Sequence, residues 1–107
     1  MERDNKKSDF LFTVWDDKKL VGMGRIVEDG VMCMFYDITV RKDYQGAGMG
    51  KKIMKELINH VKGRKYVFIG LFTNDKSFNF YKKFGFVNSK GMELRKYMDL
   101  PKKFRNL

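Results

Sequence analysis

Apolar residues recur along this chain at two periods, and the change of period divides it. Residues 10–15 form a short run of strand formers, closed by the turn Asp16-Asp17-Lys18-Lys19. Residues 20–27 predict a second strand, in which Gly22 and Gly24 point to a bulge or to close packing. Glu28-Asp29-Gly30 predicts a hairpin turn, since Asp-Gly supplies the positive backbone angles tight turns need, and residues 31–40 predict a long third strand. Three strands joined by short turns make an antiparallel meander.

The period then becomes helical. Met49, Ile53, Met54, Leu57, Ile58 and Val61 share one face, Lys51, Lys52, Lys55 and Asn59 the other, and Gly63 stands where such a helix ends. Residues 66–72 are apolar on both faces, as in a central strand of a covered sheet, and a strand-helix-strand crossover makes this strand parallel to the third. Asn74 or Asp75 caps a second helix through Ser77, Phe80, Tyr81 and Phe84 that stops at Gly85. Residues 86–88 and 92–98 supply one bent strand or two short ones. The predicted class is α+β: a mixed sheet in the order β-β-β-α-β-α-β.

Size and composition narrow the setting. The 107 residues make one domain with a core over about 10–98, and Pro101 opens a short basic tail over 101–107. A hydrophobic content of 43% and ten phenylalanines argue for a folded globule. No apolar run approaches the ~20 residues of a membrane span, and the charged amino terminus lacks a signal-peptide segment. A single cysteine, Cys33, has no internal disulfide partner, so the expected setting is the reducing cytoplasm. The net charge of +10 suggests an anionic partner without choosing among nucleic acid, a membrane surface and a phosphorylated cofactor, and the dispersed basic residues also read as solvated faces.

The chemistry concentrates at Gln45-Gly46-Ala47-Gly48-Met49-Gly50, between the third strand and the first helix. Backbone N–H groups of such a loop and of the first helical turn lie unpaired beside the positive end of the helix dipole, an arrangement that binds phosphates. A tight strand-to-helix turn without a ligand is the other reading. Spacing removes two nucleotide families. The dinucleotide fingerprint would need glycine at Lys51, and the triphosphate loop would need a hydroxyl at Lys52 and glycine at Gln45.

The stretch 45–50 resembles the Gln/Arg-x-x-Gly-x-Gly/Ala motif of the GCN5-related N-acetyltransferase (GNAT) family. Asp37 to Tyr44 is similar to that family's preceding strand and turn. Asn74, seven residues ahead of Tyr81-Lys82-Lys83-Phe84-Gly85-Phe86, is similar to its second signature. The resemblance covers roughly residues 20–98. It implies a GNAT-like fold, shortened at its amino end, and an acetyl-coenzyme A site. In that site the segment Ile38-Thr39-Val40 meets the pantetheine arm through the backbone of Ile38 and Val40. Gln45, Gly46, Ala47, Gly48, Met49 and Gly50, with Lys51, hold the pyrophosphate. The parallel strands splay to admit the thioester, Asn74 and Tyr81 line its sulfur side, and Phe80 and Lys83 complete the cofactor set.

Transfer of an acyl group to an amine needs a neutral amine, a polarised carbonyl and a proton for the leaving thiolate. Tyr81 is the candidate acid, or else a core tyrosine beside Phe80 and Phe84. Asp37, sharing a strand face with Phe35 and Thr39, is the candidate base, or else a half-exposed strand residue bonded to a backbone N–H. His60 falls near the polar side of its helix and reads as solvated. Cys33 reads as a buried apolar residue without a base, and no Cys/His/Asp cluster has metal-ligand spacing. Family members usually carry a strand and helices ahead of the segment that starts here near Phe10, and those helices wall the acceptor site. Here about nine residues precede it, so either a partner subunit supplies the wall, or the acceptor is large and docks on an open cleft, or activity has been lost; a homodimer, the ordinary remedy for a small domain with exposed sheet edges, is expected. The expected activity is transfer of acetyl to a primary amine within a ternary complex. The alternatives are a non-catalytic acyl-coenzyme A-binding module and a basic nucleic-acid-binding domain, which the paired motifs argue against.

Overall fold

The computed structural model describes residues 9–99. Strands β1 (Asp9–Asp16), β2 (Lys19–Glu28) and β3 (Met32–Val40) form the expected antiparallel meander. Helix α1 (Met49–Val61) follows, and β4 (Phe68–Leu71) returns parallel to β3, giving the sheet order β1-β2-β3-β4. A 3-10 turn (Asp75–Ser77) leads into the short helix α2 (Phe78–Lys82), and a second 3-10 turn (Arg95–Tyr97) lies near the end. The β2–β3 turn forms as its residues dictate. Gly30 takes φ +89°, and the Asp29 carboxylate accepts from the N–H groups of Val31 (3.0 Å) and Met32 (2.8 Å).

One face of the sheet meets α1. Ile53, Met54, Leu57 and Val61 of the helix close over Ile26, Cys33 and Phe35, all of them buried, and Phe10, Phe12 and Val14 of β1 pack against this cluster. Each fully buried side chain of this size contributes roughly 1.5–3 kcal/mol relative to exposure. Burial also raises the Cys33 pKa to about 11, so the thiol stays protonated and unreactive.

Gly22 and Gly24 serve both purposes foreseen for them. A Cβ on Gly22 would stand 2.9 Å from Met49 Sδ, and one on Gly24 would stand 2.7 Å from Ile53 Cγ2 and 2.9 Å from Leu57 Cδ1. The two missing side chains are what let α1 lie against β2. Gly24 also faces a bulge, because Met23 pairs with Thr39 and Arg25 with Tyr36, leaving Asp37 and Ile38 opposite this one residue. Gly24→Ala is therefore expected to destabilise the fold by about 1–3 kcal/mol through overpacking, read calorimetrically as a Tm lowered by roughly 5–15 °C. Gly91→Ala, whose Cβ would meet nothing within 4 Å, is the neutral control.

Three expectations are corrected. Among the described residues no strand follows α2, so the last element of the predicted order is missing. Asn88-Ser89-Lys90-Gly91 interrupts the apolar pattern with poor strand formers, and Val87, Met92 and Leu94 on either side are left exposed. In consequence β4, read as a central strand covered on both faces, is an edge strand with Val67 and Phe72 exposed at its ends. His60 is not simply solvated: its ring stacks on Phe10 with centroids 3.9 Å apart, and desolvation, then the nearby Arg64 charge, lower its pKa.

Candidate active site

The site begins where two parallel strands part. β3 and β4 pair from Met32–Phe68 to Phe35–Leu71. Beyond Phe35, β3 continues through its bulge, whereas β4 ends and the chain turns through Phe72 and Thr73 to the 3-10 turn capped by Asn74. Between them opens a cleft of about 350 Å³ lined by Phe35, Tyr36, Asp37, Ile38, Leu71, Phe72, Thr73, Asn74, Ser77 and Tyr81. Past Phe35 the backbone of β3 has no described strand on its β4 side. Ile38, Asn74, Tyr81 and Asp37, far apart in sequence, thus line one opening.

Each wall has a local cause. The Asn74 Oδ1 accepts from Ser77 N–H at 3.2 Å and caps the turn that carries the chain away from β4. Tyr81 belongs both to the cleft and to the core periphery. Its ring meets Phe80 and Phe86 edge-on, with centroids 5.1 and 6.0 Å away, and burial raises its pKa. Its hydroxyl has no hydrogen-bond partner among the described residues. This one half-buried side chain is thus both a packing residue and part of the cleft wall.

Asp37 sits differently from its sequence expectation. The bulge inserts a residue, so Phe35 turns to the α1 side while Thr39, the partner of Met23, turns to the other, and Asp37 no longer shares one face with both. Asp37 takes φ +56°, a conformation uncommon outside glycine. Its exposed carboxylate accepts from Arg25 Nε at 2.9 Å, not from a backbone N–H, and the Arg25 guanidinium lies 5.5 Å over the Tyr36 ring. Thr39 Oγ1 donates to the Asp37 carbonyl at 3.2 Å and braces the bulge from the next turn of chain.

The glycine loop stands at the start of α1. Gly46 (φ +87°) and Gly48 (φ +82°) are left-handed, and a Cβ on either would meet nothing within 4 Å. Gly48 is the N-cap, with no side chain bonding the first turn, so the helix opens with its N–H groups unpaired by capping. Gly50 has another reason to be glycine: a Cβ there would stand 3.3 Å from Phe80 Cζ, so it makes room for α2. Gln45 stays exposed but folds back on the end of β3, its Nε2 donating to the Val40 carbonyl at 2.9 Å, so that carbonyl is already engaged. Met49 packs against the core, while Ala47, Lys51 and Lys83 are exposed around the loop and α2. Ahead of the loop, the Tyr44 hydroxyl donates to Asp16, and Asp43 pairs with Lys19 and Arg41 at 3.7 Å, which ties this segment to the β1–β2 turn.

Sequence reasoning missed Tyr36 and Phe72 at the cleft, and Arg25 as the partner of Asp37. The one signal toward Arg25 and Tyr36 was Gly24, which stands opposite the bulge that begins after their pairing.

Comparison with known proteins agrees with this geometry. Residues 1–98 match the family described as acetyltransferase (GNAT) domain. The uncharacterised N-acetyltransferase ycf52 of Pyropia yezoensis is 35% identical over 72 residues, covering 66% of this chain and 41% of that protein, so the chain spans about two fifths of that relative's length. A solved protein of unknown function from meticillin-resistant Staphylococcus aureus, described as a probable acetyltransferase, is 34% identical. It superposes with a TM-score of 0.72 over 79% of this chain and 69% of its own. A GNAT family acetyltransferase from Elizabethkingia anophelis, solved with acetyl-CoA bound, shares the fold at 20% identity, with a TM-score of 0.68 over 80% of this chain and 59% of that one. With the glycine loop, the parted strands and the family match in agreement, this chain belongs to the GNAT acetyltransferase family.

Proposed function

We propose that this chain is an N-acetyltransferase that moves an acetyl group from acetyl-coenzyme A to a primary amine, on a small molecule or a protein, by direct transfer within a ternary complex. The observation that carries the reading is one continuous path. An uncapped helix start behind two open, left-handed glycines leads along the unpaired edge of β3 into the cleft beside Tyr81. Space is left where a Cβ would otherwise stand, and unpaired N–H groups face it, which suits a pyrophosphate. Lys51 and Lys83 add positive charge.

Bound acetyl-coenzyme A supplies an activated carbonyl and a thiolate leaving group. The chain's own groups do the rest. The Ile38 backbone and the Val40 N–H offer strand-like hydrogen bonds to an extended arm, the Val40 carbonyl being held by Gln45. Asn74, bonded through its oxygen to Ser77, keeps its amide N–H groups as donors toward the cleft. Tyr81 holds a proton in a desolvated setting and delivers it to the departing sulfur. Asp37 takes the proton of the attacking amine, through water where the amine stands off, with Arg25 orienting its carboxylate. The partners of this reading are the amine acceptor and a second copy of the chain.

A second reading has one observation in its favour: the Asp37 carboxylate is already paired with Arg25, as a group relieved of proton transfer could be. The chain would then hold acyl-coenzyme A without turnover. Incubation with acetyl-coenzyme A and a broad panel of amines, with released thiol counted, separates the two. Thiol release dependent on one amine class is expected. Tight coenzyme A binding with no release across the panel would favour the binding module, and no binding at all would sink both.

A further inference from the structure

The turn Asp16-Asp17-Lys18-Lys19 makes contacts that a turn alone does not need. Asp16 pairs with Lys19, so the hairpin closes over two residues, and Asp17 takes the left-handed conformation at φ +56°. Next to it Val14 pairs with Gly22 and Trp15 with Leu20, which leaves Val21 as an extra residue in β2. Such a bulge bends and twists the strand that carries it. The tip of this hairpin meets the chain that leaves β3. There the Tyr44 hydroxyl donates to the Asp16 carboxylate, 28 residues away in sequence, and the Lys19 ammonium lies 5.6 Å over the Tyr44 ring. The Val21 carbonyl accepts from the Arg41 N–H at 2.8 Å.

Tyr44 stands immediately ahead of the glycine loop, and β2 holds the far end of that loop as well. Met49, the first residue of α1, packs into the space that Gly22 leaves. Between the two attachments run Gln45 to Gly48, with Gly46 and Gly48 left-handed and open where a Cβ would stand. Glycine has the freest backbone of any residue, so the N–H groups of this stretch converge on one ligand only when its ends are fixed.

We propose that the tip of the β1–β2 hairpin is a strut for the glycine loop, with Tyr44 and Asp16 as positioning residues that hold the loop in its anion-binding shape. That the anion is the pyrophosphate of coenzyme A rests on the proposed function. The Tyr44–Asp16 bond carries the effect. The Lys19–Asp43 and Arg41–Asp43 pairs, both at 3.7 Å between exposed side chains, belong to a class that contributes little. A hydroxyl donating to an ionised carboxylate is about twice as strong as a neutral pair. The same bond raises the Tyr44 pKa, so the hydroxyl keeps its proton throughout the neutral range. A loop already held in shape loses less freedom on binding, and the difference is read as affinity.

The sign of one substitution separates a strut from a charge effect. If Asp16 acted only through its negative field, its loss would tighten the binding of an anion. Acting as a strut, its loss weakens it. The full chain is compared with Tyr44→Phe, which keeps the ring beneath Lys19, with Asp16→Ala, with Asp16→Asn, and with the double variant Tyr44→Phe/Asp16→Ala. Coenzyme A affinity is read by calorimetry, the KM for acetyl-coenzyme A and kcat by thiol release, and the motion of the Gly46 and Gly48 amides by nitrogen-15 relaxation without ligand. Tyr44→Phe and Asp16→Ala are each expected to weaken coenzyme A binding by about 5- to 10-fold. The double variant should lose no more than either single one, because both remove the same bond. Asp16→Asn, whose amide oxygen still accepts, should bind at least as tightly as wild type. The KM for acetyl-coenzyme A should rise by the same factor with kcat unchanged, and the two glycine amides should gain motion. Unchanged affinity in Tyr44→Phe, tighter binding in Asp16→Ala, or a loss confined to kcat would each overturn the proposal. Glycine amides as rigid in Tyr44→Phe as in wild type would overturn it too. A wild-type chain that binds no coenzyme A would instead sink the proposed function, and the amide measurement, which uses no ligand, would still decide whether the hairpin orders the loop.

Discussion

Tyr81→Phe is expected to lower acetyl transfer by roughly 10²- to 10⁴-fold, the usual contribution of a positioned proton donor, with coenzyme A affinity little changed. The ring, not the hydroxyl, makes the packing contacts: Phe80 and Phe86 both stand in edge-to-face arrangements with it, and phenylalanine keeps both. Removing the oxygen therefore spares the local fold, and a circular dichroism spectrum and Tm near wild type should accompany the loss. The direction of the Tyr81 pKa supports the role. Burial raises it, so the phenol is protonated throughout the neutral range and gives up its proton only when a thiolate forms beside it. Single-turnover thiol release, with coenzyme A binding measured by calorimetry, separates the two quantities. Turnover equal to wild type would leave Tyr81 a packing residue alone.

The second large effect is expected at the helix start. Gly48→Glu should weaken coenzyme A binding by ~100-fold or more, because it sets a carboxylate where a pyrophosphate must lie, and like charges brought together cost several kcal/mol. A side chain at Gly48 is also strained, since its φ of +82° disfavours any Cβ. Gly48→Ala carries the same strain without the charge and keeps the open space nearly free, so it isolates the electrostatic part. The expected order of affinity is wild type, then Ala with a modest loss, then Glu with a severe one. Equal losses in the two variants would mean that backbone conformation, and not an anion site, explains the glycine.

The meander and α1 were legible in the sequence because each is decided locally. Alternation in 10–15, 20–27 and 31–40 and helical spacing from Met49 to Val61 carry their own signal, and the turns are named by Asp29-Gly30 and Gly63. Of the two caps offered, Asn74 or Asp75, Asn74 is used, but it caps the 3-10 turn ahead of α2, and the helix itself starts at Ser77 without a side-chain cap. The parity of β3 was not legible. A bulge at Asp37 reverses inward and outward for all that follows, and it depends on the residue across the sheet, Gly24, which no reading of β3 alone can supply. The environment of Asp37 was lost with it. The end of the chain failed for a related reason. Residues 86–98 contain apolar positions, but a strand exists only where a neighbour offers its ladder, and propensity cannot say whether one does. Spacing alone does not distinguish the three glycines of the loop, whereas Gly50 answers to the ring of Phe80 and Gly46 and Gly48 to the backbone.

β2 contributes no residue to the proposed cofactor site, yet Gly24 touches Ile53 and Leu57 on one side and faces the bulge across the sheet on the other. Gly22 leaves room in the same way for Met49, the first residue of α1. The strand is thus a common ruler: the depth of the helix that starts at the glycine loop is measured from both bare positions, and the phase of the strand that borders the cleft from Gly24. A change there would move the glycine loop and the cleft relative to each other while leaving the residues of both in place. Under the proposed function the spacing between anion and thioester is then set by core packing, and an altered reach for a longer or shorter acyl carrier should be sought at Gly22 and Gly24 before the loop itself.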